Sequence, residues 1–242
     1  MNTFEYLADV YDVFVGADYK KMVQYILSAV YKYCPEAEIG VDLGCGSGTL
    51  TRLLSRQKLD MIGIDASSAM LARAMEKIEG NLLFLQQQLT DIDLYGTADL
   101  FVSTLDCLNY LTDFSQVEQF FQRVSLFSNP GALFVFDFNT LYKYRQLNAK
   151  NFVYENDDVF LVWENEFDGK LIHYNLTFFE KSGEVYRRVS EQQQQRYYQP
   201  EQIYDCLSKN GFKILKINDD YSDQQPTEQT LRIVVTAQKE AR

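Results

Sequence analysis

The stretch Ile39-Gly40-Val41-Asp42-Leu43-Gly44-Cys45-Gly46-Ser47-Gly48-Thr49-Leu50 decides how the rest of the chain is read. Ile39, Val41 and Leu43 form a buried strand. Gly44, Gly46 and Gly48 make a tight turn that admits positive φ and lets a ligand approach the backbone without meeting a Cβ. From Thr49 to Arg56 a helix follows, and its unpaired N-terminal amides point back at the turn. A small polar ligand is the natural occupant.

Outward from this turn, strands alternate with helices. Towards the N-terminus, Met22 to Tyr33 is helical, with Val23, Ile26, Leu27 and Val30 on one face. Before it, Phe4, Leu7, Ala8, Tyr11 and Val15 share helical spacing. That segment is either a helix packed on the body or a lid over the ligand. After the turn, strands are expected at Met61–Asp65, Leu82–Leu85, Leu100–Thr104 and Ala132–Phe138. Helices are expected at Ala69–Ile78, capped by Ser67 or Ser68, and at Phe114–Phe127. Asn129-Pro130-Gly131 reads as a turn. This alternation implies an α/β fold with a parallel sheet covered on both faces. Ligands then bind at the carboxyl ends of the strands, where Gly44–Gly48, Asp65, Gln86–Thr90, Thr104–Tyr110 and Asp137–Thr140 converge.

Beyond Thr140 the period changes to two. Asn151–Glu155, Val159–Glu166, Lys170–Glu180 and Val185–Gln195 read as an antiparallel insertion joined by hairpin turns at 167–170 and 181–184. Gln192 to Gln195 reads as a solvated strand end. Pro200 opens a helix over Glu201–Lys209. Phe212–Ile217 and Leu231–Ala237 then pair as an antiparallel hairpin at the sheet edge.

Composition narrows the function. The formal charge is −11, from 34 acidic and 23 basic residues, which argues against nucleic acid as a partner. The four cysteines are scattered and there is a single histidine, His173, so no metal site is expected. No signal peptide is expected, nor any membrane span, which points to a cytoplasmic protein, monomer or homodimer, with reduced thiols.

The turn itself separates two ligands. A dinucleotide site has the spacing G-x-G-x-x-G, whereas this one is G-x-G-x-G with Asp42 just before it. A carboxylate there repels a pyrophosphate and suits a cation. Asp65, at the end of the next strand, is placed to accept both hydroxyls of a ribose. A ligand with a ribose, a positive centre and no phosphate fits S-adenosylmethionine better than NAD.

Here the sequence resembles a known family. Val41 to Gly48 is similar to the first motif of class I S-adenosylmethionine-dependent methyltransferases, and Gly63-Ile64-Asp65-Ala66-Ser67-Ser68-Ala69-Met70-Leu71 is similar to their second. The resemblance extends through Asp106 to Leu111, Asn129 to Ala132 and Tyr198…Ile203…Leu207…Gly211-Phe212, and is closest to bacterial small-molecule N-methyltransferases of the glycine and amino-sugar kind. It implies a doubly wound, Rossmann-like, seven-stranded and mostly parallel sheet with an antiparallel C-terminal hairpin. Residues 1–140 and 196–242 would form the cofactor domain, and 141–195 an antiparallel β lid. For the site it implies that the Gly44, Cys45, Gly46 and Gly48 turn holds the methionine part, with Asp42 near its amino end. Asp65 would hold the ribose, Ala66 and Met70 flank the adenine, and Gln88 and Leu89 meet the adenine edge. Gln88 departs from the family, which has an acid there. Thr104 and Leu105 would line the cofactor, Tyr11 and Tyr19 close over the sulfonium, and Asp106, Asn109 and Tyr110 meet the acceptor. Cys45 reads as a small filler. Trp163 and the aromatics Phe160, Tyr174, Phe178 and Phe179 read as sheet core ahead of a substrate cage. No catalytic base stands out. The expected activity is methyl transfer to nitrogen or oxygen of a small molecule. The alternatives are a tRNA or protein acceptor, or a non-catalytic cofactor-binding module.

Overall fold

A computed structural model of the chain describes residues 16–77, 80, 82–157 and 159–241. The N-terminal helix expected over residues 4–15, and with it Tyr11, lies outside the described residues. The first helix is α1 (Tyr19–Tyr33), three residues longer at its start than the apolar periodicity suggests, because Asp18 caps it by accepting from the Lys21 amide at 3.0 Å. Then come β1 (Ile39–Leu43), α2 (Thr49–Ser55), β2 (Asp60–Asp65), α3 (Ser68–Glu76), β3 (Leu83–Gln86), β4 (Ala98–Ser103), α4 (Phe114–Phe127) and β5 (Ser128–Asn139). Ser67 is the cap of α3, and Asp113 with Gln116 forms a capping box on α4.

The second half contains α5 (Leu141–Leu147), then β6 (Asn151–Glu155), β7 (Val159–Phe167), β8 (Leu171–Ser182) and β9 (Val185–Arg196). It closes with α6 (Pro200–Lys209), β10 (Phe212–Asp219) and β11 (Arg232–Lys239). The main sheet has seven strands in the order β3-β2-β1-β4-β5-β11-β10, and β11 runs against its neighbours. The order reverses between β1 and β4, which opens a crevice at their carboxyl ends. Strands β4 and β5 read as unbroken apolar runs because both faces are covered: Leu100 to Val102 and Leu133 to Phe136 have no exposed surface. One face packs on α4 and α6 around Phe120, Phe121 and Phe134, the other on α1, α2 and α3 around Ile26, Leu54 and Ala74. The second sheet is antiparallel in the order β6-β7-β8-β9. Among the described residues, no helix is long and apolar enough to cross a membrane.

Three local expectations are corrected. Asn129-Pro130-Gly131 is absorbed into β5 as an irregularity: Ser128 pairs with Ala98 and Leu133 with Leu100, so the extra residues bulge out of the ladder. Helix α5 was not expected from the sequence, since its seven residues bury Tyr144 alone; Thr140 caps it by accepting from the Lys143 amide at 3.2 Å. The glutamine run is not a solvated end. Gln192 and Gln194 face water, but Gln193 and Gln195 lie on the inner face of β9 and are buried.

Gly44 and Gly48 are positions where the turn cannot take a side chain, and Gly44 is the tighter. Its φ is +76°, and an added Cβ would collide with Cys107 Sγ. Gly131 has φ +84° but open space around it. Gly131→Ala should therefore cost only the left-handed penalty, about 1–2 kcal/mol, or ~2–8 °C in melting temperature for a chain of this size. Gly44→Ala should cost clearly more in a thermal melt. Equal shifts for the two variants would contradict the packed turn.

Candidate functional site

The glycine turn is stapled from below by two carboxylates. Asp65, at the carboxyl end of β2, accepts from the Gly46 amide (2.9 Å) and the Ser67 amide (2.8 Å), so it ties the turn to the start of α3. Gly44 and Cys45 amides both donate to Ile64 O, at 2.8 and 2.9 Å. Asp42 is buried beneath the turn and accepts from Thr51 Oγ1 at 2.6 Å, which fixes α2 under Gly48, its left-handed cap. Burial pushes the Asp42 carboxyl up to about 7, against the Thr51 hydrogen bond and with the neighbouring Asp65 charge adding to the rise. Burial also raises Asp65, opposed by its backbone donors. Asp65 is only partly buried, and both it and Asp42 lack a cationic partner among the described residues. A cationic nucleoside with two ribose hydroxyls meets that need, so the residues present fit S-adenosylmethionine.

Ala66 is exposed beside Asp65, while Met70 is buried in α3. Gln88 is exposed and opens a 3-10 turn over Leu89–Asp91, with Leu89 partly buried against the core. Tyr19 packs partly buried at the start of α1. Thr104 is buried at the end of β4. Cys45 is buried, its sulfur in the space facing Gly63, as a filler should be.

Beyond β4 the chain takes an uncommon path. Leu105 (φ +57°) and Asp106 (φ +59°) are consecutive non-glycine residues in the left-handed region. One carboxylate compensates for this. Asp137, wholly buried on β5, accepts from the Leu105 amide (2.8 Å) and the Asp106 amide (2.6 Å), and from Tyr221 O–H. Arg232 Nε lies 3.7 Å away. Burial raises the Asp137 carboxyl and the Arg232 guanidinium opposes that rise.

The loop delivers Asp106 and Tyr110 to a cavity of about 430 Å³ between the sheet edge and the second sheet. Asp106 is saturated. Arg232 Nη2 donates to Oδ1 at 2.7 Å, Gln195 Nε2 to Oδ2 at 2.5 Å, and Lys143 Nζ stands 3.8 Å off while donating to Asn139 Oδ1 at 2.8 Å. Gln195 Oε1 accepts from Tyr174 O–H (3.0 Å), Tyr144 O–H (3.1 Å) and Asn139 Nδ2 (3.2 Å). Tyr110 O–H donates to Gln193 Oε1 at 2.9 Å. Asn109 does not reach the cavity. It is fully buried, accepting from the Asn139 amide and donating to Arg196 O, and so braces the loop.

Sequence reasoning missed Gln195, Lys143, Arg232 and Tyr221. The signal for Gln195 was its parity with Tyr174 and Trp163 on the inner face of a period-two segment. Nothing in the sequence placed Arg232 beside Asp106, 126 residues away. The expected aromatic core divides. Phe178 is core, Phe160 and Phe179 pair with each other, and Trp163 and Tyr174 line the cavity. His173 stays at the surface, with Gln194 and Asp168 beside it.

Comparison with known proteins agrees with this geometry. The family described as "Methyltransferase domain" matches residues 41–131. An S-adenosylmethionine-dependent methyltransferase from Clostridium acetobutylicum has 30% sequence identity and a TM-score of 0.88, over 97% of this chain and 98% of that one. The Bacillus subtilis protein YqeM is 28% identical over 98% of this chain and 97% of its own length. The sugar N-methyltransferase KedS8 from Streptoalloteichus shares the fold at 18% identity, with a TM-score of 0.81 over 96% of this chain and 93% of that one.

The raised Asp42 carboxyl has a measurable sign. Between its ordinary range near 4 and about 7, the folded protein holds a proton that the unfolded chain has released. Stability of the cofactor-free protein should therefore fall as pH rises through that window, by at most about 1.4 kcal/mol per pH unit from this group. Asp42→Asn should flatten the fall in melting temperature between pH 5 and 7, and a variant that tracks the wild type would contradict a protonated, buried carboxyl. With the glycine turn, its two aspartates and near full-length likeness to a methyltransferase of known structure in agreement, the chain belongs to the S-adenosylmethionine-dependent methyltransferases.

Proposed function

We propose that this enzyme methylates a nitrogen or oxygen of a small molecule held in the cavity between the sheet edge and the second sheet, with residues 141–195 acting as the lid. One observation carries the reading. The cavity is partly enclosed, its volume suits a small ligand, and it begins at Leu105 and Asp106, at the carboxyl end of β4 beside the glycine turn. The sugar N-methyltransferase KedS8, which shares the fold, is consistent with it. A tRNA or protein acceptor is disfavoured by the walls on both sides and by the charge of −11.

S-adenosylmethionine supplies a methyl group already activated on a positively charged sulfur. The chain's part is to hold, orient and exclude water. In this proposal the backbone of Gly44, Cys45 and Gly46 cradles the methionine part, Asp65 holds the ribose, and Gln88 serves the adenine edge through a neutral acceptor. Asp106 keeps its charge occupied by Arg232 and Gln195, so it orients groups in the cavity and is not a free base. Tyr110, fixed through Gln193, forms the wall where the acceptor meets the methyl. Such positioning is worth roughly 7–11 kcal/mol of a two-substrate barrier.

Isothermal titration should show S-adenosylmethionine binding that weakens at least about thirtyfold in Asp65→Ala, since two charge-assisted hydrogen bonds are lost. A panel of small amines, amino sugars and phenols should include a compound that yields S-adenosylhomocysteine. Turnover on tRNA or protein with none on the panel would overturn the small-molecule reading.

A further inference from the structure

Two polar atoms in the cavity wall lack a partner among the described residues. Trp163 Nε1, a donor, and Asn165 Oδ1, an acceptor, are both sealed from solvent and unpaired. They stand two residues apart on β7, on one face, and both residues line the cavity. Neither is free to turn away. Asn165 is 5% exposed, and its amide nitrogen is anchored on Lys150 O at 2.6 Å. The Trp163 ring stands edge-on to Tyr174, with centroids 5.5 Å apart, and Tyr174 is tied to Gln195. Buried polar groups without partners cost their full desolvation, and they are rare in folded proteins unless something else completes them.

The surroundings say what completes them. On the lid side the cavity is walled by Leu147, Phe152, Val153, Tyr154 and Trp163, with no charged side chain among the described residues. Asp106, Lys143 and Arg232, the charged lining groups, face one another at the opposite wall. A charged group at the lid end would lose its water and find no counter-charge. Flat aromatic walls favour a ring. A hydroxyl group can donate to one orphan and accept from the other.

We propose that Trp163 and Asn165 form the recognition pair for the end of the acceptor that lies farthest from the transferred methyl, and that the acceptor is a neutral, hydroxylated ring. One hydroxyl donates to Asn165 Oδ1 and one oxygen accepts from Trp163 Nε1, which requires the cavity wall to yield slightly on binding because both atoms are sealed from water in the free protein. The inference rests on the reading that the cavity holds a small-molecule acceptor.

Trp163 is the only tryptophan in the chain and so reports on its own surroundings. The experiment titrates the full chain, saturated with S-adenosylhomocysteine, and follows Trp163 emission and calorimetric heat. Resorcinol supplies a planar hydroxylated ring and methyl α-D-glucopyranoside a saturated one. Their fully O-methylated forms lack a donor for Asn165, and benzoate and benzylamine carry charge. One of the two hydroxylated probes should bind saturably, which tells a phenol-like from a sugar-like acceptor. Its O-methylated form and both charged probes should bind at least tenfold more weakly. Asn165→Leu should weaken the hydroxylated probe at least tenfold with cofactor affinity unchanged. Trp163→Phe, which keeps the ring, should do the same in calorimetry, and it serves as the test if Asn165→Leu does not fold. Failure of both hydroxylated probes to bind, equal binding of the charged ones, or indifference to both substitutions overturns the proposal. Methyl transfer to a small molecule that ignores Trp163 and Asn165 overturns the recognition pair alone. Probe binding that needs both residues, with no small molecule methylated, leaves the pair standing and overturns the acceptor reading.

Discussion

The cavity of this enzyme depends on one buried carboxylate. Asp137 sits in the middle of β5 with no exposed surface, and it receives two backbone amides, a tyrosine hydroxyl and the field of Arg232. Burying a charge without partners is prohibitive, so the partners must be in place for the fold to keep it. Two of those partners, the Leu105 and Asp106 amides, reach it only because both residues take a left-handed conformation that neither would choose, a strain that their hydrogen bonds to Asp137 offset. That conformation turns Asp106 into the cavity, where Arg232, Gln195 and Lys143 gather on it.

The same carboxylate links distant parts of the chain. Tyr221, which donates to Asp137, packs edge-on against Tyr25 of α1, and Tyr25 O–H donates to Asn218 Oδ1 on β10 at 2.8 Å. Gln195 carries the linkage the other way, from Asp106 through Tyr144 and Tyr174 into the second sheet. The glycine turn is held separately, by Asp42 and Asp65. Glycine turn and cavity thus rest on different aspartates.

Much of this was legible in the sequence, for local reasons. The run from Ile39 to Leu50 encodes strand, turn and helix within a dozen residues, and its partner Asp65 lies one strand away. The period-two stretches after Thr140 gave β6 to β9 nearly residue by residue. What escaped was long-range or short. Arg232 meets Asp106, Tyr221 meets Asp137, and Gln195 meets Asp106 across separations that no local pattern records. Helix α5 is too short and too weakly apolar to announce itself. A run of glutamines reads as solvated until the strand's parity puts every second one inside. Trp163 illustrates the limit: its side of the sheet was predictable, but whether that side faced core or cavity depended on how the second sheet sits against the main one.

If Asp137 imposes the shape of the Leu105–Asp106 loop, amide hydrogen exchange will show it. In the wild type, the Leu105 and Asp106 amides should exchange slowly, at rates near those of the β4 amides, although they lie outside any strand. In Asp137→Asn they should exchange much faster, while Gly44 and Cys45, held by Ile64, remain protected. Rapid exchange of Leu105 and Asp106 in the wild type, or unchanged protection in Asp137→Asn, would contradict the account.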